Sequence, residues 1–219
     1  MNDRIKRVLD KYPTLEFNEQ TQRFTGFLFA SESDGDRYFV EIDITPFPKF
    51  FPQVWETGER IPRENDRHCF TEDGSLCFTT RPKEELLLQT KILSLTGFIE
   101  HILIPYLQNN SHFEMHGEYK FGEHSHSSQT SNYETYKELL DIDNPLLIEK
   151  VLESLVKGIK IKPNERCYCG SNLKIKRCGN HNLLYKNVRR ISNKTLSKGK
   201  NRISDYVSEL EKNKNNSNN

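Results

Sequence analysis

RFTGFLFASESDGDRYFVEIDIT, residues 23–45, decides the fold. In its second half Tyr38, Val40, Ile42 and Ile44 alternate with Glu41, Asp43 and Thr45. A period of two sends one set to a buried face and the other to solvent, which predicts a half-buried strand. The segment SDGD at 33–36 is turn chemistry, so 23–32 and 37–45 form a hairpin. Ahead of it, LEF at 15–17 reads as a short strand. Ile5, Val8, Leu9 and Tyr12 recur at i, i+3, i+4 and i+7, predicting an amphipathic helix that ends before Pro13 and covers the sheet.

Downstream, PFPKFFPQVWETGERIP at 46–62 holds four prolines, which forbid a helix and leave room for an edge strand around 53–56 at most. RHCFTEDGSLCF at 67–78 reads as a loop with an Asp-Gly turn. A long helix is expected over about 84–107, with Ile92, Leu95, Ile99, Ile102, Leu103 and Tyr106 on one face and Pro105 limiting its last turn. Residues 109–132, rich in His, Gly, Ser and Asn, read as a loop. Two helices follow near 133–142 and 145–157, the second with Asn144 as N-cap, Pro145 at its first position and Gly158 beyond its end. Helix, antiparallel strands, proline-rich crossing, loop and helices make an α+β domain over 1–157.

The formal charge of +1 conceals an asymmetry. Residues 158–219 carry 15 Lys and Arg against 4 Asp and Glu, a surplus of +11, which leaves −10 on residues 1–157. Residues 186–219 read as a basic, partly disordered tail with one helical patch at 203–210, ending in the low-complexity KNKNNSNN. Lysines scattered among Asn and Ser read as a solvated tail rather than a nucleic-acid surface. The start MNDRIKRVLDKYP carries charge where a signal peptide needs an apolar run, so secretion is not expected. The greasiest stretch, 92–107, contains Glu100 and His101 and falls short of the roughly 20 residues a bilayer core demands. Five cysteines is an odd number, and three of them lie within twelve positions at a metal-like spacing, which argues against a disulfide framework and for a reducing, cytoplasmic location.

Three of those cysteines belong together. Cys167, Cys169, Cys178 and His181 bring three thiolates and one imidazole within fifteen positions, the donor set of a closed tetrahedral site for structural Zn2+. So short a segment, taken as a module over 158–185, builds no core unaided, so metal is expected to drive its folding. CYCGSNLKIKRC resembles the SEC-C motif known from the tail of the SecA translocation ATPase and from many other bacterial proteins. Gly179 stands where that motif's fourth ligand is expected, and His181 substitutes for it. The resemblance implies docking to a partner, with Lys174, Lys176 and Arg177 giving a positive face.

A lone cysteine after a turn is ordinarily a small buried hydrophobe. Cys77 differs in its context. Phe47-Pro48 and Phe51-Pro52-Gln53-Val54, then His68, then Asp73-Gly74-Ser75-Leu76-Cys77, resemble the proline-rich crossing and nucleophile loop of the ubiquitin-conjugating (UBC) enzyme family over residues 1–110. The version here, followed by GEYKFGEHSH at 117–126, is similar to bacterial relatives found with anti-phage systems. That resemblance implies a UBC-like fold and a transferase that takes a ubiquitin-like protein from an activating enzyme as a thioester on Cys77. It then passes the cargo to an amine on a protein target, a nucleotidyltransferase of the same defence system being one expectation. Cys69 occupies the place of the family's loop asparagine and His68 that of its proline. His68 is therefore a candidate oxyanion donor, and His124, or Glu123, a candidate aid to the acceptor amine, with His112, His116 and His126 lining the same groove. The competing reading is a non-catalytic UBC-fold adaptor that docks through its zinc motif; the cysteine in D-G-S-L-C favours the enzyme.

Overall fold

The computed structural model describes residues 2–31, 35–120 and 128–216. They form an α+β protein in two compact units, one of residues 1–79 and 87–123, the other of residues 80–86 and 124–219. The units follow packing rather than the composition break at residue 157.

In the first unit, α1 (Asp3–Lys11) is capped by Asn2, whose Oδ1 accepts from the Arg4 N–H at 3.1 Å, and buries Ile5 and Val8. The sheet is a meander of β1 (Leu15–Asn18), β2 (Arg23–Ser31), β3 (Asp36–Asp43) and β4 (Gln53–Glu56), antiparallel throughout. Val40 pairs with Gly26 on one side and Glu56 on the other. Tyr38, Val40 and Ile42 are buried, as the alternation requires. The proline-rich crossing admits a strand only at the four residues expected of it.

Position 26 belongs to glycine. Its φ of +147° is a region that side chains avoid, and a Cβ there would lie 2.1 Å from the Thr14 carbonyl oxygen on the neighbouring chain segment.

The expected helix over 84–107 is two helices instead. α2 (Arg81–Thr90) stops, and Ser94 begins a new one, its Oγ accepting from the Gly97 N–H at 3.0 Å. α3 (Leu95–Phe98) runs through a π-helical stretch (Ile99–Leu103) into α4 (Ile104–His116). The wide turn spans the place where Pro105 offers no N–H to residue 101. α4 continues nine residues past Leu107 into the expected loop, ending at Gly117 with φ +73°. Its continuation is polar in sequence but buried in fact. Ser111 Oγ meets the Tyr38 hydroxyl at 2.8 Å, and Asn110 Oδ1 accepts from Arg67 at 3.0 and 3.2 Å. Partners inside the core hid this helix from a reading by hydrophobicity.

The second unit packs α5 (Ser128–Leu140), α6 (Pro145–Val156), α7 (His181–Val188) and α8 (Asn193–Asn216) around Tyr136, Leu140, Ile148, Leu152, Val188 and Ile203. Asn144 caps α6 as expected. The basic tail is mostly α8, a 24-residue helix rather than one short patch. Its start is fixed by Glu85 of α2, which accepts from the Ser192 N–H at 2.8 Å, the Ser192 hydroxyl at 3.0 Å and the Thr195 hydroxyl at 2.6 Å. No helix among the described residues is long and apolar enough to cross a membrane.

Two stability tests follow from these contacts. Gly26→Ala is expected to cost about 3 kcal/mol, because backbone atoms must part to admit the methyl; an unchanged urea midpoint refutes that reading of the β1–β2 contact. Glu85 is buried, which disfavours its charge, yet bonds from Thr195 and Ser192 hold its pKa below the ordinary 4.5. The folded state therefore binds its proton less readily than the unfolded one, so the stabilisation is complete above about pH 4.5 and fades as acid carries the folded carboxylate through its titration. Glu85→Gln should thus cost about 2 kcal/mol at neutral pH and progressively less below pH 4; an equal cost at both pH values contradicts the assignment.

Candidate functional site

Among the described residues two places gather chemistry-bearing side chains, one in each unit. The first is the loop ending at Cys77. Asp73 Oδ1 accepts from the Ser75 N–H at 2.9 Å and its hydroxyl at 2.7 Å, while Oδ2 accepts from Gln53 Nε2 at 2.9 Å. Those bonds, the Ser75 N–H foremost, pull the Asp73 pKa below the usual value, so the carboxylate is charged at neutral pH. The Trp55 indole N–H donates to the Asp73 carbonyl at 3.1 Å, and the Leu76 N–H donates to Val54 at 2.8 Å. Gly74 takes φ +72°, and a Cβ there would press on the Arg63 guanidinium at 2.8 Å. The D-G-S-L segment is thereby laid along β4.

On its other flank the segment pairs with 68–70. Cys69 bridges Leu76, and the Cys77 N–H donates to the His68 carbonyl at 2.8 Å. That carbonyl also accepts from the Tyr106 hydroxyl at 3.1 Å, which donates to the Arg67 carbonyl at 2.9 Å as well. Burial pushes the Tyr106 phenol far above its usual range, so it remains a donor. His68 holds the left-handed conformation, φ +51°, that turns its carbonyl toward Cys77, and its ring lies 5.4 Å from that of Tyr119.

Cys77 is half-buried, whereas Cys69 is buried, its Sγ 3.3 Å from the Gly74 carbonyl. Burial raises the Cys69 thiol pKa. Cys69 is thus a packed thiol, and of the two Cys77 is the accessible one. His124, His126 and Glu123 lie outside the described residues. Tyr106 and Asn110 are the parts of this site that sequence reading missed. Both lie on α4, Tyr106 where the spacing predicts apolar packing and Asn110 where the composition predicts a loop.

The second place is metal-like. A bridge between Arg166 and Lys174 closes a small hairpin, with the Cys167 N–H donating to Leu173 at 2.8 Å. Cys167 and Cys169 come from this hairpin, Cys178 follows a 3-10 turn (Ile175–Arg177), and His181 opens α7. The structure brings all four expected ligands together, one ligand atom from each lying within 4.8 Å of every other. Cys169 Sγ is 3.5 Å from Cys178 Sγ, and His181 Nδ1 is 3.3 Å from Cys178 Sγ and 3.4 Å from Cys167 Sγ. Burial pushes the Cys167 thiol up to about 12. Three sulfurs this close cannot all ionise without a cation among them, and a metal ion is the group that the donor set fits.

The support behind the ligands was not visible in the sequence. His181 Nε2 faces the Asp141 carbonyl at 3.3 Å and its carboxylate at 3.7 Å, forty positions away, which orients the ring and presents Nδ1 to the cluster. Ser171 Oγ lies 3.2 Å from Cys178 Sγ. The Tyr168 hydroxyl donates to Leu140 at 2.9 Å, and Cys167, Tyr168, Ile175 and Cys178 share the helices' core. The segment is therefore no free-standing knuckle, and the expectation that metal alone drives its folding gives way to a shared core that the ion would lock.

These features define an α+β protein with a four-stranded antiparallel sheet and a Cys/His cluster able to hold a metal ion. The chain matches no family model, no curated protein and no solved structure.

Elemental analysis of purified protein should find one metal ion per chain, lost in Cys178→Ser and retained in Cys69→Ser. Loss should lower the melting temperature by about 10 °C, the shift that about 4 kcal/mol produces in a chain of this size. Metal-free wild type with unchanged melting would dismiss the cluster as a site.

Proposed function

We propose that the chain is a ubiquitin-conjugating-like carrier that accepts a ubiquitin-like protein as a thioester on Cys77 and hands it to a target amine, in bacterial anti-phage defence. One observation carries this reading: an accessible cysteine stands at the end of a loop whose backbone is bonded on both flanks, to β4 and to the His68 carbonyl. Buried structural cysteines need no such mounting, whereas a nucleophile gains from a fixed approach. The order of helix, four-stranded meander and helices, with D-G-S-L-C following the proline-rich crossing, agrees with the resemblance to the UBC family.

In the proposed cycle the Cys77 thiolate attacks the carbonyl carbon of the cargo's C-terminus, held as a thioester on the activating enzyme. A new C–S bond forms, the old one breaks, and the activating enzyme leaves as thiolate. An acceptor amine then attacks the same carbon, loses a proton to a base, and releases Cys77 as thiolate. Cys69, buried where the family's asparagine would stand, is a poor oxyanion donor. We assign that role to His68, whose backbone is bonded to that of Cys77. His124 remains our candidate for receiving the amine proton. In the Cys3His site we place Zn2+, in a closed, structural role.

The test incubates the zinc-loaded protein with a candidate activating enzyme, its ubiquitin-like protein and ATP. A reductant-sensitive adduct that Cys77→Ala abolishes is expected, while His68→Ala should still charge and discharge about a hundredfold more slowly. A folded, metal-loaded protein that forms no adduct favours the non-catalytic adaptor, in which Cys77 is incidental.

A further inference from the structure

The basic end of the chain is a folded surface. Between Arg166 and Ser204 there are eleven Lys and Arg and no Asp or Glu. α8 organises part of this surplus: Thr195, Leu196, Gly199 and Ile203 turn inward, while Lys194, Lys198, Asn201 and Arg202 are exposed. Lys194, Lys198 and Arg202 recur at i, i+4 and i+8, one cationic stripe stepping about 6 Å per residue pair along the helix. Lys186 at the end of α7 and Arg189 in the turn before α8 are exposed and extend the charge. Lys200 is set apart, lying toward Glu153 of α6.

We propose that this stripe, with the preceding turn, binds the phosphate backbone of nucleic acid. Its composition selects among polyanions. A helix that lies on an anionic membrane needs apolar side chains beside its cations, but the apolar side of α8 is buried against α5 and α6, among Ile148, Leu152 and Ile203. A protein interface needs an apolar or aromatic centre, whereas polar Asn201 and Ser197 lie between these cations. Cations interleaved with short amide and hydroxyl donors suit phosphate and sugar oxygens, and they give binding without base preference. This surface is independent of the Cys77 chemistry.

The experiment is fluorescence anisotropy of the full, metal-loaded chain with a labelled single-stranded RNA of about 30 nucleotides, across a salt series. Four or five neutralised phosphates give a slope of log K against log salt of about −3, hence about sixtyfold weaker binding at 200 than at 50 mM. The exposed triple variant K194A/K198A/R202A should reduce the slope by about 2 and weaken binding at least about tenfold at low salt. The charge-keeping K194R/K198R should bind as wild type, which separates lost charge from lost fold. R4A/K6A/R7A removes three exposed cations from α1 and should leave binding unchanged. Absence of RNA binding, equal losses in the α1 and α8 variants, or capture by phosphatidylserine vesicles in place of RNA each overturns the proposal.

Discussion

Everything proposed for Cys77 rests on one carbonyl. The His68 oxygen accepts from both the Cys77 N–H and the Tyr106 hydroxyl, and so ties the loop to a buried helix through the segment that it bridges. A loop held only by its own turn would fluctuate as surface loops do, and a nucleophile on it would sample many approach angles. Arg67 adds a second anchor one residue earlier, its guanidinium on Asn110 and stacked 4.8 Å above the Phe113 ring. Deprived of these partners, the left-handed His68 would have little reason to remain in a conformation that costs a non-glycine residue about 1–3 kcal/mol.

Elements that obey simple periodicity were legible. The meander could be read from the alternation at Tyr38, Val40 and Ile42, because one face of each strand touches the core and the other does not. The edge strand at Gln53–Glu56 could be read from the prolines around it. The helices were harder for one physical reason. α4 buries Asn110 and Ser111 against partners more than forty positions distant in sequence, so its inner face is polar and breaks no rule except that of hydrophobicity. Nor is the division of α3–α4 from α2 written in apolar spacing, which continues across it; Ser94 as a cap was the available signal and carries little weight alone.

At the candidate sites the same split recurs. Ligand spacing is local, so Cys167, Cys169, Cys178 and even His181, displaced by Gly179 from the motif's usual place, could be named from the chain. Supports are not local: Asp141 behind His181, Leu140 under Tyr168 and Tyr106 under His68 are all remote in sequence from the residues they hold. A side chain's chemistry is visible in the sequence and its setting is not, because setting is created by tertiary contact.

The Cys/His segment illustrates what that setting changes. Read as a 28-residue module it has no core, and its folding would have to come from metal alone. In the fold its hairpin contributes Tyr168, and the 3-10 turn after it Ile175, to the interior that Tyr136, Leu140, Tyr185 and Val188 also fill. Cys167 sits in that core, where burial disfavours its charge and raises its thiol pKa. A divalent ion would offset that cost with bonds to three sulfurs and one nitrogen. The coupling runs both ways: packing brings the donors together, and an ion bound to them would hold that packing in place. Removal of the ion should therefore loosen the helical unit as a whole, since Cys167, Tyr168, Ile175 and Cys178 all belong to its core.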